Sequence, residues 1–136
     1  MSYQGLATVK RLSWQITYAE IAAGGAVASV VVNIDDPISR SIRVICGTAV
    51  RVRALLAGGS ISGATIDIGA GGNADLLDGV DLSSASQWTN TPEGARPHAR
   101  YPTGTQLTAK IDLAGDTANR LTSGIVDIDL LYVESL

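Results

Sequence analysis

The sequence predicts an all-β fold: an antiparallel β-sandwich, jelly-roll-like, with seven or eight strands. Apolar residues recur with a period of two along most of the chain, and no segment shows convincing helical periodicity. Fifteen glycines among 136 residues supply many tight turns. A sheet with one apolar face has to cover that face, so two stacked sheets are expected. We take residues 1–136 as a single domain with an irregular loop region at about 70–103.

The first strands are defined by alternation and by the turn residues that follow them. Residues 12–18 alternate apolar and polar side chains, with a large aromatic side chain on the inner face, and Gly24–Gly25 ends the strand. Residues 26–34 form the next strand. Asp35–Asp36–Pro37 is a turn signal, because proline fixes its φ angle and aspartate bonds its own backbone.

The later strands follow the same pattern. Residues 42–56 form one bent strand or two, with a bulge or corner at Gly47, and residues 63–69 form a short strand. After the irregular region, residues 107–113 and 126–132 again alternate apolar and polar side chains, which predicts two further strands.

Helical structure is expected to be minimal. Ala19–Ala23 and Ala74–Leu77 favour at most a single helical turn each. The interior is expected to consist mainly of aliphatic side chains, because the chain has no phenylalanine and only two tryptophans. The residues predicted to form the core are Trp14, Ile16, Val30, Val32, Val44, Val52, Ile66, Ile68, Ile111, Ile128 and Leu130.

The composition limits the classes of function. A net charge of −3 and a pI of about 4.9 argue against a general nucleic-acid binder, which would carry a basic stripe. No apolar run approaches the ~20 residues of a membrane helix, and no secretory signal is visible. We therefore expect a soluble protein made in a cytoplasm, with no nucleic-acid or membrane partner. The single cysteine, Cys46, cannot form an internal disulfide and is expected to be a small buried residue.

The stretch GAGGNADLLDGVD, residues 69–81, is glycine-rich and then acidic, a composition that also occurs in phosphate-binding and calcium-binding loops. It lacks the glycine spacing and the helical context of a dinucleotide fingerprint, and it lacks the Gly-Lys-Ser/Thr of a P-loop. Asp75, Asp78 and Asp81 are spaced by three and do not follow the alternate-residue spacing of an EF-hand loop. They remain weak calcium candidates beside the simpler interpretation, a turn between strands.

Two further groups of residues could in principle support catalysis. Asp127 and Asp129 project from one face of a strand, about 7 Å apart by strand geometry. Glycoside hydrolysis would also need an apolar pocket and aromatic side chains, which are scarce here. The two carboxylates are instead expected to be solvated or to face cations such as Arg51, Arg53 or Lys110 across a sheet. With one histidine and one cysteine, no zinc site or Ser-His-Asp triad is indicated, and we expect no enzymatic activity and no cofactor.

The one local basic cluster, which contains Arg96, His98 and Arg100, lies in the irregular region. It is either an exposed loop without a function or a protein–protein contact, because arginine and tyrosine are enriched at interfaces. Trp88, in the same region, is either a plug over the sandwich or an anchor for a neighbouring protein. The candidate interface residues are Trp88, Arg96, His98, Arg100 and Tyr101.

Several motifs together resemble a known family. They are AEIAAGGAV, VVVNIDDP, TIDIGAGGNADLLDGVDLSS, LTAKIDLAG and the closing SGIVDIDLLYVES. Their order resembles that of small β-sandwich virion proteins of tailed bacteriophages, of the capsid decoration, head-fibre and auxiliary type. The most telling match pairs Ile68–Gly69, Ala74–Asp75, Leu76–Leu77 and Asp81–Leu82 with the terminal strand from Gly124 to Tyr132.

The resemblance implies a non-enzymatic structural role and symmetric oligomers. The expected protein is a capsid decoration or stabilising protein, a homotrimer located in the virion and assembled in the bacterial host cytoplasm. Its expected partners are other copies of itself and the major capsid protein or another virion protein. The alternative function is a binding module, either a tail-fibre or a carbohydrate-recognition domain, for which few aromatic side chains are available.

Overall fold

A computed structural model describes residues 8–45 and 47–134 of the chain; Cys46 lies outside the described residues. Over these ranges the chain forms nine strands, one short α-helix and one 3-10 turn. In chain order the elements are β1 Val9–Thr17, α1 Tyr18–Ala22, β2 Ser29–Asn33, β3 Ile42–Val44, β4 Ala49–Ala57, β5 Gly63–Ala70, β6 Leu77–Asp81, β7 Arg100–Tyr101, β8 Leu107–Ala114, the 3-10 turn Ala118–Arg120 and β9 Ser123–Glu134.

The strands form two antiparallel sheets. Sheet A has the order β1-β9-β3-β7, with β4 also paired to β9, and sheet B has the order β2-β8-β5-β6. Strands β3 and β4 occupy one position, because β3 pairs with the end of β9 and β4 with its first half. If β3 and β4 are counted as one strand and the strands are renumbered from one to eight, the sheets have the orders 1-8-3-6 and 2-7-4-5. This is the strand order of a jelly roll. The predicted all-β sandwich is confirmed, with nine strands at eight positions.

The division between β3 and β4 answers the question left open by residues 42–56. The segment is two strands in line, and the break between them includes the predicted corner at Gly47. A Cβ atom on Gly47 would lie 2.7 Å from Nδ2 of Asn90, so the glycine allows the Asn90 side chain to approach closely.

The core lies between the two sheets, as the alternation predicts. Nine of the eleven predicted core residues are buried, among them Ile16, Ile66 and Ile111 with no exposed surface. Trp14 and Val32 are only partly buried, although both pack against the core. The irregular region also contributes, since Leu76, Leu77 and Leu82 are buried there.

The two predicted helical turns have different outcomes. Residues 18–22 form α1, whose Thr17 and Glu20 make the reciprocal contacts of a capping box. The prediction for Ala74–Leu77 is wrong: the segment is not helical and Leu77 begins β6. In the part of the chain that the structure describes, no helix is both long and apolar enough to cross a membrane.

The glycine-rich stretch is the turn between β5 and β6. Gly71 and Gly72 have φ angles of +61° and +85°, which glycine adopts without strain. The turn then folds back on its own sheet, because the amide of Gly72 donates to Oγ1 of Thr108 at 2.7 Å. A Cβ atom on Gly69 would lie 2.5 Å from the carbonyl oxygen of Asn73, so the returning chain packs directly on the strand.

Candidate interaction surface

The outer face of sheet A carries the densest group of charged and aromatic side chains. In β9, Val126, Ile128 and Leu130 point into the core, so the alternate residues point outward. The register of β1, β3, β4 and β7 against their partners places further side chains on the same side. We call this surface face A; it comprises Val9, Arg11, Ser13, Gln15, Arg43, Arg51, Arg53, Trp88, Arg100, Ile125, Asp127, Asp129, Leu131 and Val133.

Asp127 organises the centre of face A. Its Oδ2 accepts hydrogen bonds from Nη2 of Arg51 at 2.8 Å and Nε of Arg53 at 2.9 Å, and its Oδ1 accepts from Nη2 of Arg53 at 3.0 Å. A bulge in β4 between Val52 and Ala54 lets both arginines reach the same carboxylate. The expectation that Arg51 and Arg53 face this carboxylate is confirmed, whereas Lys110 lies in sheet B and does not reach it.

Asp129 has its own partners one step along β9. Nε of Arg11 donates to Oδ1 of Asp129 at 2.6 Å, and the hydroxyl of Ser13 donates to the same oxygen at 2.9 Å. The hydrogen bond to Asp129 and the charge of that carboxylate raise the pKa of the Arg11 guanidinium. Both carboxylates are thus engaged by arginines, which is unlike the open acid–base pair of a glycosidase.

Trp88 lies at the edge of this cluster. Residue 89 pairs with β4, since Val50 and Thr89 exchange two backbone hydrogen bonds of 2.9 Å. This pairing places the Trp88 ring over the guanidinium of Arg51, with 4.9 Å between Cζ and the ring centroid, a cation–π distance. The ring remains 41% exposed. A cleft of about 360 Å³ beside it is lined by Arg11, Ser13, Gln15, Arg53 and Asp127.

Two arginines stand directly opposite each other at the far edge of sheet A. Arg43 of β3 pairs with Arg100 of β7 in the antiparallel register, and both residues are exposed. Like charges at directly opposed positions destabilise an antiparallel pair. The folding of the isolated chain therefore gives no reason for this arrangement.

The sequence-predicted interface residues do not all share one surface. Trp88 and Arg100 flank the same edge of sheet A, and Arg96 and His98 are exposed in the segment before β7. The expectation that Tyr101 is an exposed loop aromatic is wrong, because Tyr101 belongs to β7 and is only 4% exposed. Its ring points inward opposite Ile42, and its hydroxyl donates to Oδ2 of Asp75 at 3.1 Å.

The three weak calcium candidates have separate roles in the fold. Asp75 accepts hydrogen bonds from Tyr101 and from the amide of Ala70, and Asp78 is exposed in β6. Asp81 accepts from the amide of Ser83 at 2.9 Å, and hydrogen bonding from Ser83 holds its pKa below the ordinary value. Among residues 8–45 and 47–134, no three His, Cys, Asp or Glu side chains are grouped closely enough to hold a metal ion.

Tyr101 predicts a loss of stability in alkali. Burial, together with the charge of Asp75 and the hydrogen bond to it, raises the pKa of the phenol. An unfolded tyrosine ionises near pH 10, so its contribution to stability is complete below about pH 10 and is lost as the pH rises further. We expect the melting temperature to fall as the pH rises above about 10, and to fall less in Tyr101→Phe. Tyr18→Phe is the control and should behave like the unaltered chain.

A second cleft, of about 410 Å³, opens at one end of the sandwich. Its floor is apolar, and Glu134 at its rim is paired: Lys10 bonds Glu134 at 2.8 Å, and Arg40 lies 3.7 Å from the other oxygen of that carboxyl. Asp35 and Asp36 also line this cleft. The hydrogen bond from Lys10 is the main cause that lowers the pKa of Glu134. The apolar residues of the floor are Leu12, Ile34, Ile38, Ile42, Leu107, Leu130 and Tyr132.

Comparisons with known proteins give a fold and no family. No protein-family model matches the sequence, and no curated protein matches it significantly. Among solved structures, the chain is similar to one in the capsid of Ralstonia phage GP4, with a TM-score of 0.57 and 14% identity over 97% of this chain and 86% of that one. It is also similar to one in the capsid asymmetric unit of cyanophage Pam1, with a TM-score of 0.52 and 14% identity over 95% of this chain and 86% of that one. The chain therefore has a fold that also occurs in phage capsids.

Proposed function

We propose that this chain is a non-enzymatic structural protein of a phage virion, and specifically a capsid decoration or stabilising protein. The observation that carries the proposal is the jelly-roll sandwich, which matches chains from two phage capsids with TM-scores of 0.57 and 0.52. Each of those chains is matched over 86% of its own length, so each is only slightly larger than this one. A chain of this size suits an accessory protein placed on a shell.

The chemistry of the surface supports a structural role. The carboxylates of face A are engaged by arginines, and the glycine-rich stretch is a turn. What remains exposed is a tryptophan stacked on an arginine, with further arginines beside it. Tryptophan and arginine are the residue types that most often dominate binding energy at protein interfaces.

The proposed assembly is a homotrimer on the virion, formed in the host cytoplasm and bound to the major capsid protein or to another virion protein. The loop from Ser83 to Thr103 would contact a neighbouring subunit or the capsid surface, because it presents Trp88, Arg96, His98 and Arg100 outside the sandwich. Light scattering of the purified protein should give a mass near three times 14.0 kDa. A monomer at micromolar concentration would contradict the trimer.

Replacing Trp88 and Arg100 together by alanine is expected to reduce incorporation into capsid particles by about tenfold or more, since one interface anchor commonly contributes over 1.4 kcal/mol. Purified protein would be mixed with particles assembled without it, and the bound fraction measured after sedimentation. The matched control is Val27→Ala with Arg40→Ala; Val27 is 44% exposed and the Arg40 side chain 70% exposed, and both lie outside this loop. Equal incorporation of the two double variants would show that this loop does not contact the capsid.

A carbohydrate-recognition module is the second candidate function, and one observation favours it. The exposed Trp88 ring borders the cleft that contains Ser13 and Gln15, and an aromatic ring beside polar side chains is a common way to hold a sugar. Jelly rolls also occur in lectins. Binding of a glycan panel that is lost in Trp88→Ala, with particle incorporation unchanged, would favour this function over the structural one.

A further inference from the structure

The two outer faces of the sandwich carry opposite charge. Face A has five arginines and two aspartates, a net charge of +3. The outer face of sheet B, which we call face B, has one lysine and four aspartates, a net charge of −3. The register places on face B the side chains of Val31, Asn33, Thr65, Asp67, Asp81, Lys110 and Asp112. We also assign to face B the exposed Asp78, which lies where the register between β5 and β6 shifts.

This separation of charge has a cost in the isolated chain. On face A, Arg43 and Arg100 are directly opposed like charges. On face B, Asp81 and Asp112 both lie opposite Thr65, on either side of the same residue. Directly opposed like charges such as these two arginines weaken a sheet, whereas the two aspartates are separated by a whole strand. An oppositely charged surface placed against face A would remove the penalty of the arginine pair.

Each face also offers apolar surface among its charges. On face A, Trp88 is 41% and Val9 53% exposed, and on face B Val31 is 51% exposed. Four strands about 4.8 Å apart and between six and seven residues long on average, as in sheet B, span roughly 400 Å². Two such faces in contact would bury on the order of 800 Å², an area found in weak, transient protein contacts. The contact would therefore be weak and favoured by a high local concentration.

We propose that face A of one copy of this chain binds face B of a neighbouring copy. The occupant is a second copy because the complement of the basic face, equal in net charge and with an exposed valine among its acids, is present on the same molecule. A nucleic acid fits face A less well, since Arg11, Arg51 and Arg53 are already paired with carboxylates. The proposal rests on the self-assembly proposed above. Face A includes Trp88 and Arg100 of the Ser83–Thr103 loop, whereas face B is a surface separate from that loop.

The geometry of this contact is head-to-tail. The two faces lie on opposite sides of one sandwich, so each copy has a different neighbour on each side. Such a heterologous contact extends outward and does not close a small ring. It would join copies in rows, while the Ser83–Thr103 loop would reach a neighbouring subunit or the capsid surface.

Cross-linking of cysteine variants tests the contact directly. In a Cys46→Ser background, Gln15→Cys marks face A and Val31→Cys marks face B. With a short flexible bis-maleimide, we expect dimers from an equimolar mixture of the two variants and few from either alone. Val27→Cys, also an exposed valine but outside both faces, is the matched control for Val31→Cys. Equal yields with Val27→Cys, or dimers of Gln15→Cys alone, would overturn the head-to-tail contact.

Charge reversal provides the second test, with folding checked by circular dichroism. Face A is reversed by Arg43→Glu with Arg100→Glu, and face B by Asp78→Lys with Asp112→Lys. Each reversal is expected to reduce the cross-linked dimer at least about tenfold, because like-charged surfaces are juxtaposed. Both reversals in one chain should restore the yield of cross-linked dimer. For the chain without charge reversals, about 1 M salt should lower that yield by screening the charges. Failure of the combined variant to recover would overturn the proposal.

Neither the cross-linking test nor the charge-reversal test uses capsid particles, so the outcome of each is independent of the proposed virion function. Loss of incorporation in the Trp88 and Arg100 variant with no A-to-B cross-link would leave the decoration function in place and remove the face-to-face contact. Normal cross-linking with no binding to particles would support the face-to-face contact and contradict the decoration function.

Discussion

Replacing Ile66 by alanine is expected to lower the free energy of unfolding by about 2–5 kcal/mol. Ile66 has no exposed surface and lies in β5, between Val80 of β6 and Ile111 of β8. The cavity would be bounded by two paired strands and by the opposite sheet, which leaves little freedom for the surroundings to collapse. Urea denaturation followed by far-UV circular dichroism measures the loss.

The control for this substitution is Val31→Ala in the same sheet. Val31 is 51% exposed and points away from the core, so its truncation at micromolar concentration should change the stability by less than about 0.5 kcal/mol. Equal losses in the two variants would contradict the assignment of inner and outer faces. A helical spectrum of the unaltered chain would contradict the fold itself.

The strands and the core could be predicted because they depend on local alternation. A period of two places Ile66 and Ile68, or Ile128 and Leu130, on one face wherever the partner strands lie. The core residues followed from that rule, and the two partial exceptions, Trp14 and Val32, still pack against the core. Alternation does not indicate which strands pair, so it does not decide whether residues 42–56 form one strand or two. The pairing of β3 and β4 with different parts of β9 decides this.

The surface could be predicted only in part, because its contacts join distant segments. Asp127 was expected to face Arg51 or Arg53, since outward charges on neighbouring strands tend to pair. The stacking of Trp88 on Arg51 depends on residue 89 joining the edge of β4, which no local motif indicates. Tyr101 was misplaced for the same reason: a polar, proline-rich setting suggests a loop, whereas pairing with β3 turns its ring inward.

The sequence also carries the charge difference between the two faces, although no local motif indicates it. The outward residues of the strands in sheet A include five arginines, and those of sheet B include four aspartates. These sets can be added up only after each strand has been assigned to a sheet. Since the chain crosses between sheets at most of its connections, the arginines of face A and the aspartates of face B are interleaved along the sequence, and the pattern is hidden there.

Replacing Asp127 by alanine is expected to lower the free energy of unfolding by about 1–3 kcal/mol and to free Trp88 from its position over Arg51. The Asp127 side chain is 8% exposed, whereas the side chains of Arg51 and Arg53 are 36% and 51% exposed. Removing one partner of a fully buried ion pair costs about 3–5 kcal/mol, and an exposed pair contributes at most about 1 kcal/mol. A buried carboxylate between two half-exposed arginines falls between these limits.

Asp129→Ala is the matched control, because Asp129 is the next outward residue of β9 and also binds an arginine. The Asp129 side chain is 20% exposed and its partner Arg11 61% exposed, so a smaller loss of stability is expected. Tryptophan fluorescence separates the two variants further: in Asp127→Ala the unpaired Arg51 no longer holds the indole in place, and the emission of Trp88 should move to longer wavelength. Trp14→Phe in both backgrounds isolates the Trp88 signal. If the two variants lost equal stability and shared one emission spectrum, Asp127 would not be the group that orders Arg51, Arg53 and Trp88 on face A.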